Sequence, residues 1–253
     1  TDFVGPIQSG LCKMLVIGLG NHKGCSAVHE EAPEVFADAI EETARLILQK
    51  APVGFGIAIL ENAYDKTYAV EAVPAEHLVE REKELVQIAK GNMPYIMLDE
   101  ADVIVCGAIG KDISGAGFDP NILGRSSVLK QFVLHIPRYQ RLVLCDVTPA
   151  SHGNGIGVGL FDVITKKVAE QLDLESMYAN AIACNCLGDA SVPCTVDDEE
   201  TAIRVALKCC RNIDRDHPRI IRIQNTLHLG EIEVSEALLD AVRADSRMSL
   251  IEN

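Results

Sequence analysis

The chain has 253 residues, a formal charge of −14, 48% apolar residues, 4% aromatics and no Trp. Its core is therefore aliphatic, and its negative charge repels phosphate backbones and anionic lipid, which argues against nucleic acid and membrane partners. No apolar run reaches the length of a membrane span, and the nine cysteines form no regular framework, so free thiols in a reducing cytoplasm are expected.

The opening Thr1-Asp2-Phe3-Val4-Gly5-Pro6 has neither Met nor a signal peptide and reads as an entry into the middle of a longer enzyme. Leu11 to Gly20 is apolar and closes on Gly18-Leu19-Gly20, which predicts a buried strand running into a glycine turn. Lys13 inside such a strand is costly unless its amine is paired, shifted in pKa or covalently used. His22 and His29 follow, each able to ligate a borderline metal or to move a proton near neutral pH. Pro33 opens a helix whose apolar residues, Val35 to Ile47, recur at helical spacing. Val53–Leu60 and Thr67–Val73 read as strands, and Pro74 and Gly91 bracket a second helix with a wet face rich in Glu and Lys.

Gly91-Asn92-Met93-Pro94 combines a helix stopper, a polar residue and a proline, and divides the chain into residues 1–92 and 93–253. Beyond it, Ala101–Ile109, Arg141–Val147 and Arg219–Gln224 read as buried strands, with helical patterns at Gly155–Gln171 and Asp198–Cys209. The alternation predicts an α/β fold of two lobes, a mostly parallel sheet covered by helices, and a hinge near residues 91–94.

Gly107 to Arg125 follows a buried strand and holds five glycines, Lys111 and Arg125. Ligands of open α/β sheets sit at the carboxyl ends of strands, so a site for a small anion is expected in this loop. Ser151 to Gly159 is a second glycine-rich stretch before a helical pattern, suited to exposing helix N-terminal amides or to close packing against a sheet. Cys184, Cys186 and Cys194 form the tightest thiol group; such spacing suits an iron–sulfur cluster or zinc, although no Cys-x-x-Cys occurs.

The run Phe3-x-Gly5, Gly10-Leu11-x-Lys13-Met14 and Ile17-Gly18-x-Gly20 to His29 resembles the lactate-racemase-like family of nickel-pincer proteins. So do Gly110-Lys111-Asp112-Ile113-Ser114-Gly115, Asp119-Pro120-Asn121 and Asn225-Thr226-Leu227, and the similarity runs from Thr1 to near Leu239. The resemblance implies two α/β domains with the site in the cleft, and an isomerase that racemises or epimerises a 2-hydroxy acid by hydride transfer. The implied cofactor is a nickel-pincer nucleotide, a pyridinium mononucleotide joined to a lysine as a thioamide, with nickel in its S–C–S pincer. Lys13 maps onto the tethering lysine and His29, sixteen positions on, onto the nickel ligand. Gly18, Gly20, Ser114 and Asn121 map as cofactor-binding, and Lys111 as the catalytic lysine that contacts substrate. The family's two acid–base histidines map upstream of Thr1. Gly10-Leu11-Cys12-Lys13 departs from the glycine-rich approach of true lactate racemases, which marks a divergent branch. Two other classes stay open on the residues: an iron–sulfur or zinc protein using the clustered cysteines, and a non-catalytic small-anion binder built on the glycine-rich loops.

Overall fold

The computed structural model describes residues 5–64, 66–129 and 131–251. It divides into two compact units, one of Thr1–Pro94, Val128–Val133 and Ile182–Cys186, the other of Tyr95–Ser127, Leu134–Ala181 and Leu187–Asn253.

In the first unit a helical turn, α1 (Leu11–Lys13), widens into a π-helical stretch, Met14–Gly18, closed by Leu19 N–H donating to Met14 O at 2.9 Å. α2 (Asn21–His29), α3 (Phe36–Lys50) and α4 (Leu78–Gly91) follow, with an antiparallel hairpin of β1 (Phe55–Glu61) and β2 (Thr67–Pro74) between the last two. The strand expected over Leu11 to Gly20 is thus helical. An apolar run this short suits either element. Here Cys12, Leu15 and Val16 are buried while Met14 and Leu19 are exposed, a one-sided spacing of three and four that only a helix produces. Lys13 is half-buried on a helical turn, so the cost of a lysine inside a sheet does not apply to it. The core joins Ile7, Val28, Phe36, Ile40 and Ala44 to Leu60 and Val73 of the hairpin and to Leu78, Val79 and Leu85 of α4. The hairpin's other face, with Phe55, Ile57, Ile59, Tyr68 and Val70, is exposed.

The second unit holds a six-stranded sheet in the order β6-β5-β4-β3-β7-β8. Its strands are β3 (Val103–Cys106), β4 (Arg141–Leu144), β5 (Val163–Thr165), β6 (Cys194–Val196), β7 (Ile220–Ile223) and β8 (Glu233–Val234). Every neighbouring pair is parallel except β7 and β8. The α/β class and the mostly parallel sheet are therefore as the sequence indicates. All four residues of β3 are buried, as a parallel strand covered on both faces requires. Among the helices of this unit are α5 (Pro120–Leu123), α6 (Lys166–Gln171), α8 (Glu199–Lys208), α9 (Leu239–Ala244) and, as far as Ala181, α7 (Leu174–Ala183). Asp198 caps α8 by accepting from Thr201 N at 2.8 Å, and α8 sets Ala202 and Ala206 among Val103, Val105, Val143 and Val163.

The helix expected across Gly155–Gln171 is broken. Val158–Leu160 is a single 3-10 turn, Val163–Thr165 is a strand, and α6 starts at Lys166. Three successive β-branched residues favour the sheet, and Thr165 Oγ1 caps α6 by accepting from Val168 N at 3.4 Å.

From β3 the chain steps outward through β4, β5 and β6, then returns to the other side of β3 as β7. The winding reverses between β3 and β7, the place where open α/β sheets bind their ligands. No helix among the described residues is long and apolar enough to cross a membrane.

Candidate functional site

The chemistry of the first unit gathers at the end of α2. His29 Nδ1–H donates to the Cys25 carbonyl one turn back at 2.7 Å, so the neutral ring carries its lone pair on Nε2. Metal-binding histidines are oriented in this way, by a bond from the nitrogen that does not bind. Cys25 Sγ lies 3.5 Å from the same Nδ1, and the Phe36 ring meets the imidazole edge-on at 5.6 Å. Asn185 Nδ2 donates to the His29 carbonyl at 2.9 Å. The Cys184 side chain also hydrogen-bonds the ring and is the main reason that the imidazole pKa lies above its ordinary value; burial opposes it, the Cys25 carbonyl assists, and the nearby charge of Lys13 lowers it slightly. The amine and the imidazole thus sit within electrostatic reach of each other.

The two glycines assigned beside them differ. A Cβ on Gly20 would lie 2.1 Å from Val16 O, so only glycine lets the π-helical stretch turn into α2, whereas one on Gly18 would meet only the Met14 side chain. Gly20 serves packing and Gly18 is exposed. Phe3 and the His22 side chain lie outside what is described.

In the second unit, Gly107 to Arg125 is anchored into the core by Ile109, Phe118, Ile122 and Leu123. Asp119 caps α5, its Oδ1 accepting from Asn121 N at 2.9 Å and from Asn121 Nδ2 at 3.2 Å. Asn121 is only 3% exposed, a buried amide braced by that cap. Lys111 Nζ donates to Gly115 O at 2.6 Å and to Asn180 Oδ1 of α7 at 2.9 Å. Lys111 N donates to Ser151 Oγ at 2.7 Å, and the Ser151 and Thr148 hydroxyls share a bond at 2.8 Å beside Asp112. Ser114 Oγ accepts from Ala116 N at 3.4 Å, a local turn bond. The guanidinium of Arg125 pairs with Asp162 at 2.6 Å and stacks 5.3 Å above the Tyr139 ring, so its charge is neutralised there.

Two contacts were invisible in the sequence. Gly117, with φ +88°, places its ideal Cβ 2.0 Å from Ile156 O, and Gly157, with φ +93°, places its own 2.3 Å from Ala116 O. Each glycine-rich loop thus receives a carbonyl of the other, and the stretch Ser151 to Gly159 serves this packing rather than opening a helix. The loop after β7 joins them. Thr226 Oγ1 accepts from Asp119 N at 3.0 Å, and buried Asn225 Oδ1 accepts from Leu227 N and His228 N at 2.9 and 3.0 Å. Asp119-Pro120-Asn121 and Asn225-Thr226-Leu227 therefore meet at the β3–β7 reversal.

All nine cysteines are free thiols. Among the described residues no three His, Cys, Asp or Glu side chains are grouped as a metal site, so the iron–sulfur or zinc alternative finds no ligand set there. Comparison with protein-family models, with curated proteins and with solved structures returns no match.

Proposed function

We propose that this chain carries the cofactor-holding part of a 2-hydroxy-acid racemase or epimerase that uses a lysine-tethered nickel-pincer nucleotide. The observation that carries the reading is that Lys13 and His29 lie in one unit, near enough for the lysine charge to be felt at the imidazole, with the neutral ring turned by the Cys25 carbonyl so that Nε2 holds its lone pair.

The residues fit such a group by the chemistry of the donor set. A structural metal site built from protein alone needs three or four side-chain ligands, and none is grouped among the described residues. A pincer brings S, C and S donors of its own and asks the protein for one imidazole and one amine. Nitrogen ligation by a neutral imidazole also suits nickel.

When bound, the group supplies a hydride acceptor for the substrate's C2. The rest falls to side chains of this chain. Lys13 provides the attachment point and His29 Nε2 the protein's donor to the metal. Cys25 O, Cys184 and Phe36 hold the ring in one orientation, which keeps the donor from rotating away. Lys111, steadied by Gly115 O and Asn180, offers its ammonium to a substrate carboxylate. The family's acid–base histidines for the substrate hydroxyl map to no residue of this sequence.

Nickel content of protein purified from its own host tests the reading, with Lys13→Ala and His29→Ala beside the parent. About one nickel per chain in the parent and a loss in both variants is expected. Nickel undiminished in Lys13→Ala would sink the assignment.

A further inference from the structure

Among the described residues of its unit, Glu82 is the most buried acidic side chain, 2% exposed in the second turn of α4. Burying a carboxylate is unfavourable unless hydrogen bonds replace its water. Here they come from main chain some seventy residues earlier. Cys12 N–H donates to Glu82 Oε2 at 2.6 Å, and the Cys12 side chain and the main chain at Gln8 and Leu11 also favour the ionised carboxyl. Amides at the start of a helical segment have no intrahelical acceptor and must find one elsewhere when buried. α4 supplies it.

The fit at the other oxygen is equally close. Oε1 has no hydrogen-bond partner among the described residues, and it lies 2.5 Å from where a Cβ on Gly10 would be. Position 10 therefore admits only glycine while Glu82 keeps this conformation. The next residue but two is Lys13, and Gly10 O accepts the first bond of its turn, from Met14 N at 3.0 Å. Burial is the largest influence on Glu82 and pushes its pKa up, against the pull of the Cys12 amide and side chain. Cys12, fully buried against it, has its thiol pKa raised by the same burial and then by Glu82.

We infer that Glu82 is a positioning residue for the Lys13 amine: its buried carboxylate ties the Gly10–Cys12 main chain to α4 and so fixes the turn from which Lys13 projects. The use of that amine as a tether rests on the proposed function; the clamp itself does not. An apolar side chain at position 82 would fill the core but leave the Cys12 amide without its acceptor. The turn would then be free to rotate, and a covalently held group on Lys13 would swing with it.

The test is limiting acetylation of cofactor-free protein with acetic anhydride, reading Lys13 against Lys23 by peptide mass. In folded Glu82→Leu the Lys13 to Lys23 labelling ratio should change by roughly threefold or more, as the loss of buried hydrogen bonds allows. Glu82→Gln, whose amide oxygen can still accept from Cys12 N–H, should return the ratio close to that of the parent. Should Glu82→Leu fail to fold, Gly10→Ala, which displaces the carboxylate by its methyl, must produce the same change. A ratio unchanged in the folded Leu or Ala variant overturns the inference, because a purely structural Glu82 would lower melting temperature and leave relative amine reactivity alone. An unmodified Lys13 in host-purified protein would instead sink the nickel reading and leave the clamp standing.

Discussion

Replacing Gly117 or Gly157 with alanine should unlock the two glycine-rich loops from each other. The new methyl would sit 2.0 Å from Ile156 O in the first case and 2.3 Å from Ala116 O in the second. Each residue must also hold φ near +90°, a conformation that costs a residue with a Cβ about 1–2 kcal/mol before any contact is counted. The obstructing atoms are backbone carbonyls, which cannot rotate aside as a side chain would, so the loops must part. A total of roughly 2–4 kcal/mol per substitution is expected. Both methyls pry at one contact, so the double variant should lose less than the sum of the singles, by about 1 kcal/mol or more. Urea unfolding followed by far-ultraviolet circular dichroism reads this as a falling midpoint at an unchanged slope. Losses under about 0.5 kcal/mol for each single variant, or simple additivity, would refute the interlock.

Glu199 accepts from Arg222 Nε at 2.7 Å, and this bond, more than any other influence, holds its carboxyl below the ordinary range. Its folded pKa is therefore below its unfolded one, so its contribution is complete above the unfolded pKa and is lost as pH falls through the folded value. Glu199→Gln should flatten that part of the acid-side decline in melting temperature; an identical pH profile would contradict the pairing. Lys111→Met removes the bonds to Gly115 O and Asn180 Oδ1 and should cost about 1–2 kcal/mol of stability, while binding of a 2-hydroxy acid to the cofactor-loaded enzyme weakens by roughly 2–5 kcal/mol. Unchanged affinity would make Lys111 scaffold alone. Thiol titration of the native protein should label exposed Cys194 and Cys209 rapidly and spare buried Cys12, Cys106 and Cys210, with burial raising the Cys106 thiol to about 12. Protection of Cys194 would revive a metal bound by the cysteines.

Strands β1 and β2 of the hairpin were legible, and so were β3, β4 and β7, whose stretches rich in Val, Ile and Leu declare a covered parallel sheet. α8 announced itself through Asp198 and its amphipathic spacing. Leu11 to Gly20 misled because an apolar run of that length lacks a period of its own, and β5 was hidden because its three residues merge with the helix they cap. The clamp had a signal that charge obscured. Leu78, Glu82 and Leu85 share one face of α4, so spacing put Glu82 in the core, yet a helix rich in Glu and Lys invites the reading of a wholly solvated face. The reciprocal contact of Gly117 and Gly157 had no signal at all, because it pairs two loops through main-chain shape. Arg125 looked available as a loop cation, and only the fold could bring Asp162 to it.

Whether Lys13 carries a covalently attached nucleotide is settled most directly by the mass of its peptide in protein purified from the native host. Trypsin should fail to cut after Lys13, and the peptide spanning it should carry the added mass of a pincer nucleotide, both effects disappearing together with nickel in Lys13→Ala. A peptide cleaved at an unmodified Lys13, from protein that racemises its hydroxy acid, would contradict the tether and with it the assigned role of His29.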